Sequence, residues 1–178
     1  RNIAVGFVDS IRVDVLSAEN LELSFSADTT SATNGELNTV AWSDDGNFLY
    51  AAGRYHVSGR NLIRRWSKGG RGSFTDLKVS NNTVMGLKAL SNGQLAVGAS
   101  DPLIEVLSAD GKPIWEHLGD IADFREQVRA DGIRLSKSGD LVQFGYEARS
   151  KRPTRFSLKT WRLDLNPTSD NRLSGPIT

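Results

Sequence analysis

Val40-Ala41-Trp42-Ser43-Asp44-Asp45-Gly46-Asn47-Phe48-Leu49-Tyr50-Ala51-Ala52-Gly53, with Ile63-Arg64-Arg65-Trp66 ten residues on, is the stretch whose reading decides the fold. Two apolar runs flank a polar turn. Gly46 supplies the positive φ that the turn needs, and the Ser and Asp side chains before it bond back to the backbone, which is hairpin chemistry. Flanking runs rich in Val, Leu, Trp and Phe carry the signature of paired strands.

The same pattern recurs along the chain. Ile3-Ala4-Val5-Gly6, Leu49-Tyr50-Ala51-Ala52-Gly53, Leu95-Ala96-Val97-Gly98 and Val142-Gln143-Phe144-Gly145 each end in glycine, at separations of 47, 45 and 47 residues. Polar turns ending at Gly46, Gly93 and Gly139 precede the last three, separated by 47 and 46 residues. A third run follows each glycine (Ile11–Val15, Leu62–Trp66, Leu103–Leu107, Arg155–Leu158), and then a weaker fourth (Leu21–Leu23, Asp76–Val79, Pro113–Glu116, Trp161–Leu165). Four strands in a period of about 46 residues make one blade of a β-propeller. The expected fold is therefore all-β: four consecutive four-stranded antiparallel blades at about residues 3–26, 37–80, 82–117 and 132–165. Only Arg1 and Asn2 precede Ile3, so the first blade lacks its opening strand. That strand is expected from the remainder of the same polypeptide, closing a ring of seven or eight blades. The absence of an initiator Met points the same way, and residues 166–178, rich in Pro, Ser, Thr and Asn, read as a linker.

Residues 40–53 with Ile63–Trp66 resemble the WD-repeat family, Trp66 matching the repeat's closing tryptophan, and the resemblance extends over residues 3–165. It implies a propeller that binds partners. Two departures mark the blades as divergent: no Gly-His pair opens any of them, and no Asp sits in the turn before the third strand of the second blade. The family's Asp–His–Ser–Trp hydrogen-bond chain is then incomplete. More narrowly, Gly35–Trp42, Asn82-Thr83-Val84-Met85 and Ile121–Arg125 are similar to the propeller regions attached to bacterial caspase-like peptidases. That similarity implies a regulatory or substrate-recruiting propeller beside a separate His/Cys protease domain, none of whose catalytic residues carry over.

Composition narrows the function classes. Apolar residues make up 38% and charged residues 24%, the balance of a globular domain. There is no cysteine, which excludes a disulfide framework, a thiolate metal site and a cysteine nucleophile within the chain. No run approaches the roughly 18 apolar residues of a membrane span. A net charge of +1 makes no case for specific nucleic acid binding, and a cytoplasmic location is expected. G-x-S-x-G, P-loop, H-E-x-x-H and G-x-G-x-x-G patterns are all absent. His56 and His117 lie in different blades, and a metal would need more ligands clustered around either. The Asp-rich turns are too short for a calcium loop. No cofactor is expected. The tryptophans at 42, 66, 115 and 161 are expected to pack blade against blade.

Charge placement is the signal above this background. The loops joining second and third strands are short in blades one and three (Phe7–Ser10, Ala99–Pro102) and long in blades two and four (Arg54–Asn61, Tyr146–Thr154). The long loops are basic: Arg54, Arg60, Arg64, Arg65, Lys68 and Arg71 occur without an acid between 54 and 71, as do Arg149, Lys151, Arg152 and Arg155 between 149 and 155. The expectation is a two-blade repeat presenting Arg54, Tyr55, Arg60, Arg64, Tyr146, Arg149, Lys151 and Arg152 to an acidic protein partner or phosphate-bearing ligand. The favoured function is a non-catalytic interaction scaffold. The alternative is a propeller enzyme with a central-channel site, toward which the inner runs here contribute Arg134 and little else ionisable. The long connection Leu118–Asp131, mixing Ile121 and Phe124 with charges, is expected to plug the channel rim.

Overall fold

The turn at Ser43 closes as its sequence demands. Gly46 N donates to Ser43 O at 2.9 Å, and the Ser43 hydroxyl accepts from Phe48 N at 2.8 Å while donating to Asp45 Oδ1 at 2.6 Å. Strands β4 (Thr39–Trp42) and β5 (Leu49–Ala52) pair antiparallel across it, with Trp42 opposite Leu49. A computed structural model describes residues 1–101, 103–118, 133–136, 139–146 and 153–163, and within them the architecture is all-β.

The hairpin belongs to the second of four antiparallel sheets. The first sheet contains β1 (Asn2–Gly6), β2 (Val13–Ser17) and β3 (Leu23–Ser26) in that order, with no strand inside β1. The second continues from β4 and β5 through β6 (His56–Val57), β7 (Arg60–Trp66) and β8 (Phe74–Ser80), with β8 paired to β7. The third holds β9 (Val84–Ala89), β10 (Leu95–Ala99), β11 (Leu103–Leu107) and β12 (Pro113–Leu118), and the fourth β13 (Ile133–Leu135), β14 (Leu141–Tyr146), β15 (Pro153–Ser157) and β16 (Arg162–Leu163). The innermost strands line up side by side, β4 against β9 and β9 against β13, and β1 borders β4. Each sheet is thus a blade standing around a common centre.

Alternation along the strands explains the stacking. Successive side chains on a strand point to opposite faces, and both faces of the second and third sheets are apolar. Leu49, Ala51, Leu62 and Trp66 meet Val13 and Val15 of the first sheet. Tyr50, Ala52 and Ile63 meet Val84, Leu95, Val97 and Leu107 of the third. Ala96, Ile104 and Val106 then meet Val142, Phe144 and Phe156 of the fourth. Burying each large aliphatic or aromatic side chain contributes roughly 1.5–3 kcal/mol relative to leaving it in water, so the interfaces between blades are the core. Trp66 is fully buried and its Nε1 donates to Asp28 O at 2.7 Å, tying the second blade to the connection that precedes it. Trp115 and Trp161 pack across the third interface with ring centroids 5.7 Å apart.

One recurring glycine has a steric reason. A Cβ on Gly98 would lie 2.3 Å from a ring carbon of Phe144, so the third and fourth blades meet closely only because the side chain is absent.

Several boundaries differ from the sequence reading. Leu21 and Trp161 sit at positive φ (60° and 56°) in turns, so their strands begin later, at Leu23 and Arg162. The long connection falls on residues 119–132 and the linker on 166–178, both outside the described residues. Among the described residues, no helix is long and apolar enough to cross a membrane.

Candidate partner-binding face

The loop of the second blade expected at residues 54–61 is a hairpin. His56 pairs with Asn61 and Val57 with Arg60, across a two-residue turn whose Ser58 and Gly59 both have positive φ (51° and 75°). Positive φ at both central residues is the type I′ geometry that matches strand twist. Asn34 fixes the hairpin to the preceding connection: its Nδ2 donates to His56 O and its Oδ1 accepts from His56 N, both at 3.0 Å. Gly35, at φ +66°, runs against the Arg54 backbone so closely that a Cβ there would lie 2.4 Å from the carbonyl. That approach sets the Glu36 carboxylate beneath the Arg54 guanidinium, whose Nε donates to Glu36 Oε1. The Arg54 side chain stays 64% exposed over a nearly buried Glu36. Arg60 leans the other way, Nη1 to Asn81 Oδ1 at 2.8 Å and Nη2 to Val79 O at 3.3 Å. Between the hairpin and the third blade lies a groove of about 360 Å³ lined by Gly35, Glu36, Arg54, His56, Asn61, Asn81, Asn82 and Thr83.

Two expected contact residues do not face solvent. Arg64 is fully buried and Tyr55 is 2% exposed. Arg64 grips Asp76 with two bonds of 2.8 Å, Nε to Oδ1 and Nη2 to Oδ2. Nη1 reaches Thr30 O at 2.8 Å, and Nη2 also reaches Ser31 Oγ at 3.2 Å and the Tyr55 hydroxyl at 3.1 Å. Tyr55 in turn donates to Asp76 Oδ2 at 2.9 Å. Burial alone would lower the Arg64 guanidinium, but the bonds to Asp76 outweigh it and hold the group above its ordinary value. Burial, followed by the Asp76 carboxylate, raises the Tyr55 phenol. Both residues therefore brace the inter-blade core behind the face.

The run of cations between 54 and 71 separates for the same reason. A seven-residue strand spans about 20 Å, so β7 carries Arg60 at one end of the blade and Trp66 at the other. Arg65 bonds Ala109 O at 2.8 Å and lies over the Phe48 ring. Arg71 lies 3.8 Å over Phe25, and Lys68 sits with it beyond the far end of the strand. Of the six, Arg54 and Arg60 alone stand at the hairpin. In the fourth blade Tyr146 ends β14, its backbone opposite Pro153 of β15, while Arg149, Lys151 and Arg152 lie outside the described residues.

Sequence reasoning missed Asn34, Glu36, Asn61, Asp76, Asn81 and Asn82. The Asn81-Asn82 pair directly before a new blade was the available signal. His117 packs against Trp115 and Phe156, and no group of three or more His, Asp or Glu among the described residues could hold a metal.

No protein-family model matches the chain, and no curated protein matches it. Solved structures do. The WD40 repeats of RRP9 superpose with a TM-score of 0.56 at 19% identity, over 67% of this chain and 36% of that one. The β-propeller domain of Myceliophteria thermophila Cps50 (Swd1) gives 0.59 at 17% identity, over 91% of this chain and 49% of that one. The fold is that of a partial β-propeller, similar to those two WD40 and Swd1 propellers. The chain spans less than half the length of either propeller.

Proposed function

We propose that the chain is a non-catalytic protein-interaction module that docks a partner on the face carrying the loops between second and third strands. The observation that carries this reading is the β6–β7 hairpin: a rigid, tethered projection, bearing Arg54, His56, Val57 and Arg60, beside an open groove. Arg54 and Arg60 of the second blade act with Tyr146, Arg149, Lys151 and Arg152 of the fourth, and Tyr55 and Arg64 support them from behind. Rigid elements presenting charged side chains steer association and cost little entropy on binding. Propellers of similar fold give the analogy, which concerns architecture and not a site.

In its narrower form the module regulates or feeds a caspase-like peptidase on the same polypeptide. The similarity of residues 35–42, 82–85 and 121–125 to such propeller regions supports this, and a His/Cys peptidase domain in the full-length gene product is its check.

The broad reading is tested by replacing Arg54, Arg60, Arg149 and Arg152 with Ser in the full chain. Cross-linking capture from the source cells should enrich a partner on the unaltered chain, with cross-links mapping to residues 54–61 or 149–152, and lose it on the variant. Equal capture by both chains overturns the proposal.

A further inference from the structure

The groove between the second and third blades carries several hydrogen-bond donors that no protein group among the described residues engages, while many of its acceptors are already bonded. Glu36 is engaged by Arg54 through Oε1. Asn81 Oδ1 accepts from Arg60, and Asn82 Oδ1 accepts from Thr83 N at 2.8 Å. Those two bonds assign the oxygen of each amide as the acceptor and leave its Nδ2 as an unused donor. Gly53 O, next to the lining residue Arg54, is taken by Asn61 Nδ2 at 3.1 Å and by Val84 N at 2.9 Å. Asp101, next to the groove, accepts from Ser80 Oγ at 3.0 Å and Asn81 N at 2.9 Å. The Nη1 and Nη2 groups of Arg54 and the Nδ2 groups of Asn81 and Asn82 make no hydrogen bond among the described residues.

A cavity lined this way is complementary to an anion, and the local charge decides which one. Arg54 is paired with Glu36 and the Asp101 carboxylate lies beside Asn81, so little positive charge is left over to hold a dianion. A planar monoanion that matches the free guanidinium fork fits better. Val57, 45% exposed on the hairpin rim, offers apolar contact beside it.

We propose that this groove receives one carboxylate, an Asp or Glu side chain on an acidic segment of the docked protein, held by the Nη1–Nη2 fork of Arg54 and by Asn81 and Asn82. The proposal rests on the interaction reading above and names the chemistry of its partner.

The test is an NMR titration of the full chain, following the Arg54 guanidinium and the Asn81 and Asn82 side-chain amides. N-acetylglutamate α-amide is the probe, and N-acetylglutamine α-amide is its neutral isostere. Saturable shifts with a dissociation constant on the order of a millimolar are expected for the first and none for the second. Arg54→Gln should weaken the probe by about tenfold or more, and Arg54→Lys by less, since it keeps the charge and loses the fork. Lys112→Gln, on an exposed turn far from the groove, should bind like the unaltered chain, and far-UV circular dichroism confirms that each variant folds. The assignment is overturned by absent shifts, equal binding of the neutral isostere, tighter binding of inorganic phosphate, or indifference to Arg54→Gln. Failure here with partner capture still lost in the four-arginine variant would remove the carboxylate and leave the interaction reading standing. Success here with capture unchanged would do the reverse.

Discussion

Arg64 in the second blade and Glu105 in the third occupy equivalent places. Each is central in the third strand, pairs with the second strand (Ala51, Val97), faces the preceding blade, and stands directly opposite an acid on the outer strand, Asp76 or Glu116. Each is essentially removed from solvent, at 0% and 3% exposure. Their surroundings differ completely. Arg64 has an opposite charge across the strand, two partners from the long connection before its blade, and the Tyr55 hydroxyl from the long loop beside it. Glu105 has a like charge across the strand, and its Oε2 has no hydrogen-bond partner among the described residues. The connection before its blade, residues 81–83, is short. In this pair the charge beside the longer segments is the one that protein groups solvate. The long connection and loop around the second blade thus supply the partners that Glu105 Oε2 lacks in the third.

Burial, then the Glu116 carboxylate, pushes Glu105 up to about 7 from an ordinary 4.5, against the pull of Arg60. The folded chain consequently holds that proton more tightly than the unfolded chain does. Its contribution to stability is complete below about pH 4.5 and is lost as pH rises through 7, a change on the order of 3 kcal/mol.

Breaking the satisfied side of the comparison should have the largest effect. Arg64→Leu strands Asp76 and Tyr55 against an apolar neighbour and should cost roughly 3–5 kcal/mol in urea denaturation. The double variant Arg64→Leu with Asp76→Leu should recover most of that loss, because removing both partners leaves no uncompensated charge. A double variant as unstable as the single one would mean that packing, and not charge, holds the interface. Glu105→Gln works on the strained side with the opposite sign. It should stabilise the chain by up to about 3 kcal/mol at pH 8 and by almost nothing at pH 4, flattening the stability profile between them. An unchanged profile would show that Glu105 is solvated at neutral pH. The smallest effect is expected from Tyr55→Phe, which removes the hydroxyl bridging Arg64 and Asp76 and keeps the ring. A loss of about 1 kcal/mol is expected from thermal or urea unfolding.

Much of this molecule was legible from residue order. Turn residues at fixed spacing and alternating apolar runs specify hairpins locally, so the blades and the missing inner strand of the first could be read directly. Loop lengths were legible too, and the alternation of long and short loops is visible as a count. Side-chain placement within those loops was not. Tyr55 and Arg64 read as exposed because a charge and an aromatic in a basic stretch look like surface, and their burial depends on Thr30, Ser31 and Asp76, which lie 12 to 34 residues away in sequence. Glu36, which neutralises Arg54, belongs to a different connection altogether.

The sequence by itself determined the blades, because strand and turn preferences act over a few residues and the repeat multiplies them. Tertiary structure alone decided which charges reach solvent. A strand sends neighbouring side chains to opposite faces and carries its two ends about 20 Å apart. A continuous basic run is thereby divided among the rim of a hairpin, a buried brace and the far end of the blade.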